Sequence, residues 1–93
     1  MTTALEYGCP HLAPGFRMQW EAAQDCHVLL YPEGMVKLNA SAHEILSRCN
    51  GNKTVATIVN ELQQAFPKAE LEDHVWQFLR RAEAQGWIKM AQP

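Results

Sequence analysis

The chain has 93 residues, a net charge of −2 at pH 7 and 47% hydrophobic residues, as expected for one globular domain. The negative charge argues against nucleic acid and membrane as main partners, because both select proteins with a basic face. No stretch approaches the about 20 apolar residues that span a bilayer, and the N-terminus lacks a signal pattern, so we expect a cytoplasmic protein.

The first part of the chain predicts a flexible arm followed by a strand. Residues 1–15 contain two glycines and two prolines and show no periodicity, which is typical of a mobile N-terminal arm. A single domain is then expected over residues 16–90. Phe16, Met18 and Trp20 alternate with polar residues, which predicts a half-buried first strand.

The connection between the second and third strands is the most informative segment. An apolar run over 26–31 predicts a central strand, and Pro32 and Gly34 suit the second and last positions of a tight turn. Residues 34–38 then predict a brief third strand, and Asn39 can cap the helix that follows. The short connections imply an antiparallel meander. Its last strand is expected to lie at the sheet edge, where unpaired backbone groups are open to another chain.

Three apolar stripes at helical spacing predict three helices after the strands. The first begins at Ala40, the second follows the cap residue Thr54, and the third runs from near Leu71 to Gly86. The predicted core consists of the central residues of these stripes: Leu46, Ile58, Leu62, Val75 and Leu79. Residues 87–90 are expected to form a final short strand or an apolar clasp. Three strands followed by three helices predict an α+β fold that resembles a winged helix-turn-helix.

Catalytic and metal-binding patterns are weak. The four histidines have no metal-ligand spacing, and the chain has no glycine-rich phosphate loop, so we expect no catalytic residue and no metal. The three cysteines form no CxxC pair, which argues against a disulfide framework. Cys26 and Cys49 fall on apolar patterns and are expected to be buried, whereas Cys9 is expected to be exposed.

Two apolar positions fit either the core or a binding surface. Trp76 lies off the apolar stripe of the third helix, on the face that carries Arg80. It is either a residue that flanks the core beneath the arm or an exposed aromatic at a recognition surface. Met35 and Val36 are adjacent on the predicted edge strand. Either the protein covers both faces of that strand, or one face is open to a partner.

The assembled residues resemble the PqqD family, pyrroloquinoline quinone biosynthesis protein D, from about residue 10 to residue 90. The most specific part is Pro32-Glu33-Gly34-Met35-Val36-Lys37-Leu38-Asn39, and the segment over 51–59 is a weaker part. The resemblance implies a non-catalytic precursor-peptide recognition element without a cofactor of its own. Such a module is expected to bind the PqqA precursor peptide and to present it to the radical S-adenosylmethionine enzyme PqqE.

The resemblance also implies where the peptide binds. The peptide is expected to add a strand to the third strand of the sheet and to lie against the third helix. On this chain the implied peptide-binding residues are Gly34, Met35, Val36, Lys37, Leu38, Trp76 and Arg80.

Two other functions remain open at the level of the sequence. A winged-helix DNA-binding transcriptional regulator would need a basic third helix, but that helix carries Glu72, Asp73 and Glu83 beside its two arginines. An obligate homodimer that exchanges its arm or a strand is the third interpretation, because the expected arm and sheet edge permit it.

Overall fold

The computed structural model describes residues 7–91. Its strands and helices follow in this order: β1 (Cys9–Leu12), β2 (Arg17–Glu21), β3 (Cys26–Tyr31), β4 (Gly34–Lys37), α1 (Ala40–Leu46), α2 (Val55–Ala65), α3 (Glu72–Ala84) and β5 (Ile88–Ala91). The predicted α+β fold, an antiparallel meander followed by three helices, is confirmed. None of the helices in this part of the chain is long and apolar enough to cross a bilayer.

The meander forms a three-stranded antiparallel sheet in the order β2-β3-β4. β3 is the central strand, and β4 lies at one edge as predicted. In the β3–β4 hairpin Tyr31 is opposite Gly34, so Pro32 and Glu33 form the two-residue loop. Leu29 is opposite Val36, and both side chains belong to the face of the sheet that packs on the helices.

The segment predicted as a flexible arm contains a strand. β1 pairs antiparallel with β5, with Cys9 opposite Ala91. The prediction is therefore wrong for residues 9–12, while residues 1–6 of the arm lie outside the described residues. The prediction that Cys9 is exposed is also wrong, because the residue is buried, with 5% exposure. The final segment forms a strand, one of its two predicted alternatives.

The physical reason for this error is the proline in β1. Proline has no N–H, so it is tolerated in a strand only where no donor is needed. Pro10 meets this condition, and its C=O accepts a hydrogen bond from the Gly51 N–H at 2.9 Å. The Ala13 N–H donates to the Trp87 C=O at 2.8 Å and extends the contact between the two ends of the domain.

The helix starts agree with the sequence patterns. The Asn39 side chain accepts a hydrogen bond from the Ala42 N–H at 2.8 Å, and the Thr54 hydroxyl accepts one from the Thr57 N–H at 3.2 Å. Both predicted caps are confirmed. α3 starts after Leu71 without a side-chain cap, but its first turn carries two acidic residues, which interact favourably with the helix dipole.

One core lies between the sheet and the three helices. The five predicted core residues are all 2% exposed or less: Leu46, Ile58, Leu62, Val75 and Leu79. Leu29 and Ile88 join them from β3 and β5. Of the two cysteines expected to be buried, Cys49 is buried and Cys26 is half-buried.

Candidate functional site

The free edge of β4 carries backbone groups that no strand of the described chain pairs. The Leu38 N–H donates to the His27 C=O at 2.9 Å, which makes this pair a hydrogen-bonded one. Hydrogen-bonded and non-hydrogen-bonded pairs alternate along an antiparallel ladder. Val36 therefore directs its N–H and C=O toward β3, whereas Met35 and Lys37 direct theirs away from the sheet. An added strand would meet two donors and two acceptors at these two residues.

The side chains of β4 divide between the core and the solvent. Val36 is half-buried and packs against the core, while Met35 lies on the other face and is 43% exposed. The two adjacent apolar residues thus leave one face of the strand open. Gly34 and Lys37 are exposed, but Leu38 is a core residue at 6% exposure. Leu38 therefore offers little side-chain surface to a partner, and its N–H is already bonded to the His27 C=O.

Trp76 and Arg80 lie together on the outer face of α3. Trp76 is half-buried and packs against the edge of the core, and the Arg80 Cζ atom lies 5.8 Å from the centre of its ring. This distance is within the range of a cation–π contact. The two residues line a surface groove of about 330 Å³ together with Asp73 and Gln77, which we call the α3 groove. Trp76 therefore flanks the core and borders a groove, and its role in recognition stays a prediction.

The two halves of the predicted site are connected through the core. Val36 of β4 and Trp76 of α3 both pack against the same buried cluster. The Ser41 Oγ atom, in the first turn of α1, lies 3.4 Å from the His74 Nε2 atom of α3. The start of α3 is therefore next to the point where the chain leaves β4. The structure brings Trp76 and Arg80 into contact with each other and places Gly34 to Leu38 on a separate element.

A second groove, which the sequence patterns did not predict, lies between the three helices. It measures about 280 Å³, and core side chains of Ile45, Leu62 and Val75 contribute to its wall. Phe66, at the end of α2, borders it and is 44% exposed. Its members come from three helices, so no local pattern could have indicated it.

A stack of aromatic rings joins the sheet to α1. The imidazoles of His27 and His43 stack with ring centres 3.7 Å apart, and Trp20 meets His27 edge-on at 5.1 Å. These contacts fix the start of α1 on β3. Both histidines are half-buried. They lie sixteen positions apart on different elements, so no local sequence pattern indicates their contact.

The described residues contain no cluster for a metal ion, and their buried thiol at Cys49 is not activated. Between residues 7 and 91 no three His, Cys, Asp or Glu side chains are arranged to hold a metal ion. Burial raises the pKa of the Cys49 thiol to about 12, so this thiol stays protonated near neutral pH and is a poor nucleophile.

Comparisons with known proteins agree on one family. The family described as Coenzyme PQQ synthesis protein D (PqqD) matches residues 26–88. A PqqA binding protein of Azotobacter vinelandii is 51% identical over 82 residues, which cover 87% of this chain and 89% of that protein. A PqqA binding protein of Rahnella aquatilis is 48% identical over 94 residues, with 100% and 99% coverage.

A solved structure shares the fold. The solution NMR structure of the PqqD truncation of Methylobacterium extorquens PqqCD, described as a functional, stand-alone recognition element for ribosomally synthesized and post-translationally modified peptides, superposes with a TM-score of 0.71. The match covers 95% of this chain and 99% of that chain at 23% identity, and it therefore supports the fold.

Proposed function

The chain belongs to the PqqD family, and from this premise we propose that it binds the PqqA precursor peptide of pyrroloquinoline quinone biosynthesis. The protein acts as a non-catalytic, cytoplasmic peptide chaperone without a cofactor of its own. It presents the bound peptide to the radical S-adenosylmethionine enzyme PqqE. Nucleic acid and membrane are not among its partners in this proposal.

The peptide binds by adding a strand to β4. The observation that carries this proposal is the outward direction of the backbone N–H and C=O groups of Met35 and Lys37. Strand addition supplies affinity through main-chain hydrogen bonds, and neighbouring side-chain surfaces supply specificity. The peptide-binding residues in the proposal are those predicted from the sequence: Gly34, Met35, Val36, Lys37, Leu38, Trp76 and Arg80.

Titration of the ¹⁵N-labelled protein with a synthetic PqqA peptide tests this proposal. The amide signals of residues 34–38 are expected to shift, together with the indole N–H of Trp76. Shifts confined to other parts of the chain, or no shifts at all, would contradict it. Light scattering of the protein without peptide gives its oligomeric state and tests homodimerisation, since a second copy could use the same edge of β4.

A further inference from the structure

The α3 groove has opposite charges at its two ends. Asp73 lies at the end nearer the start of α3, Arg80 lies at the other end, and Trp76 stands between them. At 1.5 Å per helical residue, Asp73 and Arg80 are about 10.5 Å apart along the helix axis, and Trp76 and Arg80 are about 6 Å apart. A ligand that lies along the groove therefore meets an anion, an aromatic ring and a cation in that order.

Arg80 has donors to spare for a ligand. The ion pairs in the described part of the chain join Arg48 to Glu44 and to Glu61, and Lys53 to Glu61. In the same part of the chain, Arg80 forms no ion pair with Asp73 or with Glu83, which follows it by three residues. The Arg80 Cζ atom lies over the Trp76 ring, 5.8 Å from its centre, in a cation–π contact that is not a hydrogen bond. It leaves the N–H groups at the guanidinium edge available for a carboxylate, which arginine can bind with two parallel hydrogen bonds.

We propose that the α3 groove selects an acidic residue of the bound peptide, with its carboxylate on Arg80. This inference rests on the proposed function and adds the chemistry of the recognised side chain. In an extended peptide, side chains two residues apart lie on one face and are separated by about 6.6 Å. That spacing is close to the separation of Arg80 and Trp76 along the helix axis, which is about 6 Å. The recognised segment therefore has an acidic residue two positions away from an apolar residue that covers the Trp76 ring.

The charge pattern also places the acidic residue at one end of the groove. Asp73 repels a carboxylate, so the acidic residue lies at the Arg80 end of the groove. The net charge of −2 on the chain does not oppose this contact, because at physiological salt interactions are screened over a Debye length of about 8 Å. A carboxylate in contact with Arg80 is well within that length of the guanidinium.

Reciprocal charge exchange tests the inference directly. The affinity of a synthetic PqqA peptide is measured by fluorescence anisotropy for the wild-type protein and for Arg80→Glu. Each acidic residue of the peptide is then replaced singly by Lys, and every peptide is measured against both proteins. Arg80→Glu is expected to weaken binding of the unmodified peptide by about tenfold or more, since charged hydrogen bonds are among the stronger ones. One Lys-substituted peptide is expected to bind Arg80→Glu better than it binds the wild type.

The matched control is Arg81→Glu. Arg81 is also exposed on α3 and undergoes the same change of charge, but it points about 100° away from Arg80 around the helix and does not line the groove. The control variant is expected to change affinity by less than about fivefold, the upper end for a solvent-exposed pair. Because both arginines are exposed, both variants are expected to fold, which circular dichroism verifies.

Three outcomes overturn the inference. Equal effects of Arg80→Glu and Arg81→Glu would show that the peptide senses only general charge. The absence of any rescuing Lys peptide would show that Arg80 merely covers the Trp76 ring. In either case the shifts of the β4 amides would still stand, and the proposed function with them. A wild-type protein that does not bind PqqA at all would overturn both.

Discussion

Proline substitutions at two adjacent positions of β4 distinguish strand addition from other modes of binding. Lys37→Pro removes an N–H that points away from the sheet, and Val36→Pro removes one that points toward β3. Loss of the outward donor is expected to weaken peptide binding by about 0.5–1.5 kcal/mol for one hydrogen bond. The outward-pointing ring also obstructs a neighbouring strand, so the measured loss should lie at or above the upper end of this range.

The two variants are expected to differ in how much they destabilise the fold. Lys37→Pro removes no hydrogen bond of the sheet and should change the free energy of unfolding by less than about 1 kcal/mol. Val36→Pro leaves the Leu29 C=O without its donor and should destabilise the fold by about 1–3 kcal/mol. Urea unfolding gives the stabilities, and isothermal titration calorimetry with PqqA gives the affinities. Lys37→Ala keeps the N–H and is the control for loss of the side chain.

The decisive comparison is between Lys37→Pro and Lys37→Ala. If both variants weaken binding equally, the side chain and not the backbone carries the contact. If folded Val36→Pro loses more affinity than Lys37→Pro, the direction of the N–H groups inferred from the ladder is wrong. Wild-type affinity in Lys37→Pro would refute strand addition to β4.

Three further predictions concern Leu62, Trp76 and Cys49. Leu62→Ala should lower the free energy of unfolding by about 2–5 kcal/mol, and an unchanged urea midpoint would contradict its place in the core. Trp76→Ala should weaken peptide binding by about 1–3 kcal/mol with a smaller loss of stability; the reverse pattern would make Trp76 a core residue without a role in binding. Burial raises the pKa of the Cys49 thiol to about 12 in the fold, against 9.0 for an unperturbed thiol, so the unfolded chain loses this proton first as pH rises. Stability should not depend on this group below pH 9.0 and should fall between pH 9.0 and about 12, by up to about 4 kcal/mol, and this fall should be absent in Cys49→Ala.

The helices and the edge strand could be predicted because their signals are local. A cap residue, an apolar stripe and a terminal glycine lie within one short stretch of sequence, as at Asn39 and Thr54. The turn at Pro32 and Gly34 likewise fixed the hairpin that places β4 at an edge. The direction of each N–H on that edge required the register with β3, which no single strand contains.

The elements that escaped prediction depend on distant partners. β1 is a strand because β5, almost eighty residues later, lies beside it, and its proline masks the extended pattern. The contact between His27 and His43 and the groove bordered by Phe66 also join separate elements. For Trp76 the helical wheel indicates the face of α3 but not the depth of burial. A half-buried ring is compatible both with flanking the core and with a recognition surface. The sequence places Arg80 on the same helix face as Trp76, but the contact between the guanidinium and the ring required the side-chain positions.

The pairing of β1 with β5 bears on how such a domain can be joined to other proteins. Cys9 and Ala91 are opposite each other in the ladder, so the chain enters and leaves the domain at neighbouring points. Domains with adjacent ends tolerate insertion into a host loop and circular permutation, since neither requires the backbone to cross the fold. Both ends lie on a sheet separate from the one that contains β4. A fusion at the β1–β5 side leaves the hairpin of β3 and β4 uninterrupted, whereas a permutant opened at the exposed Pro32-Glu33 loop would break that hairpin.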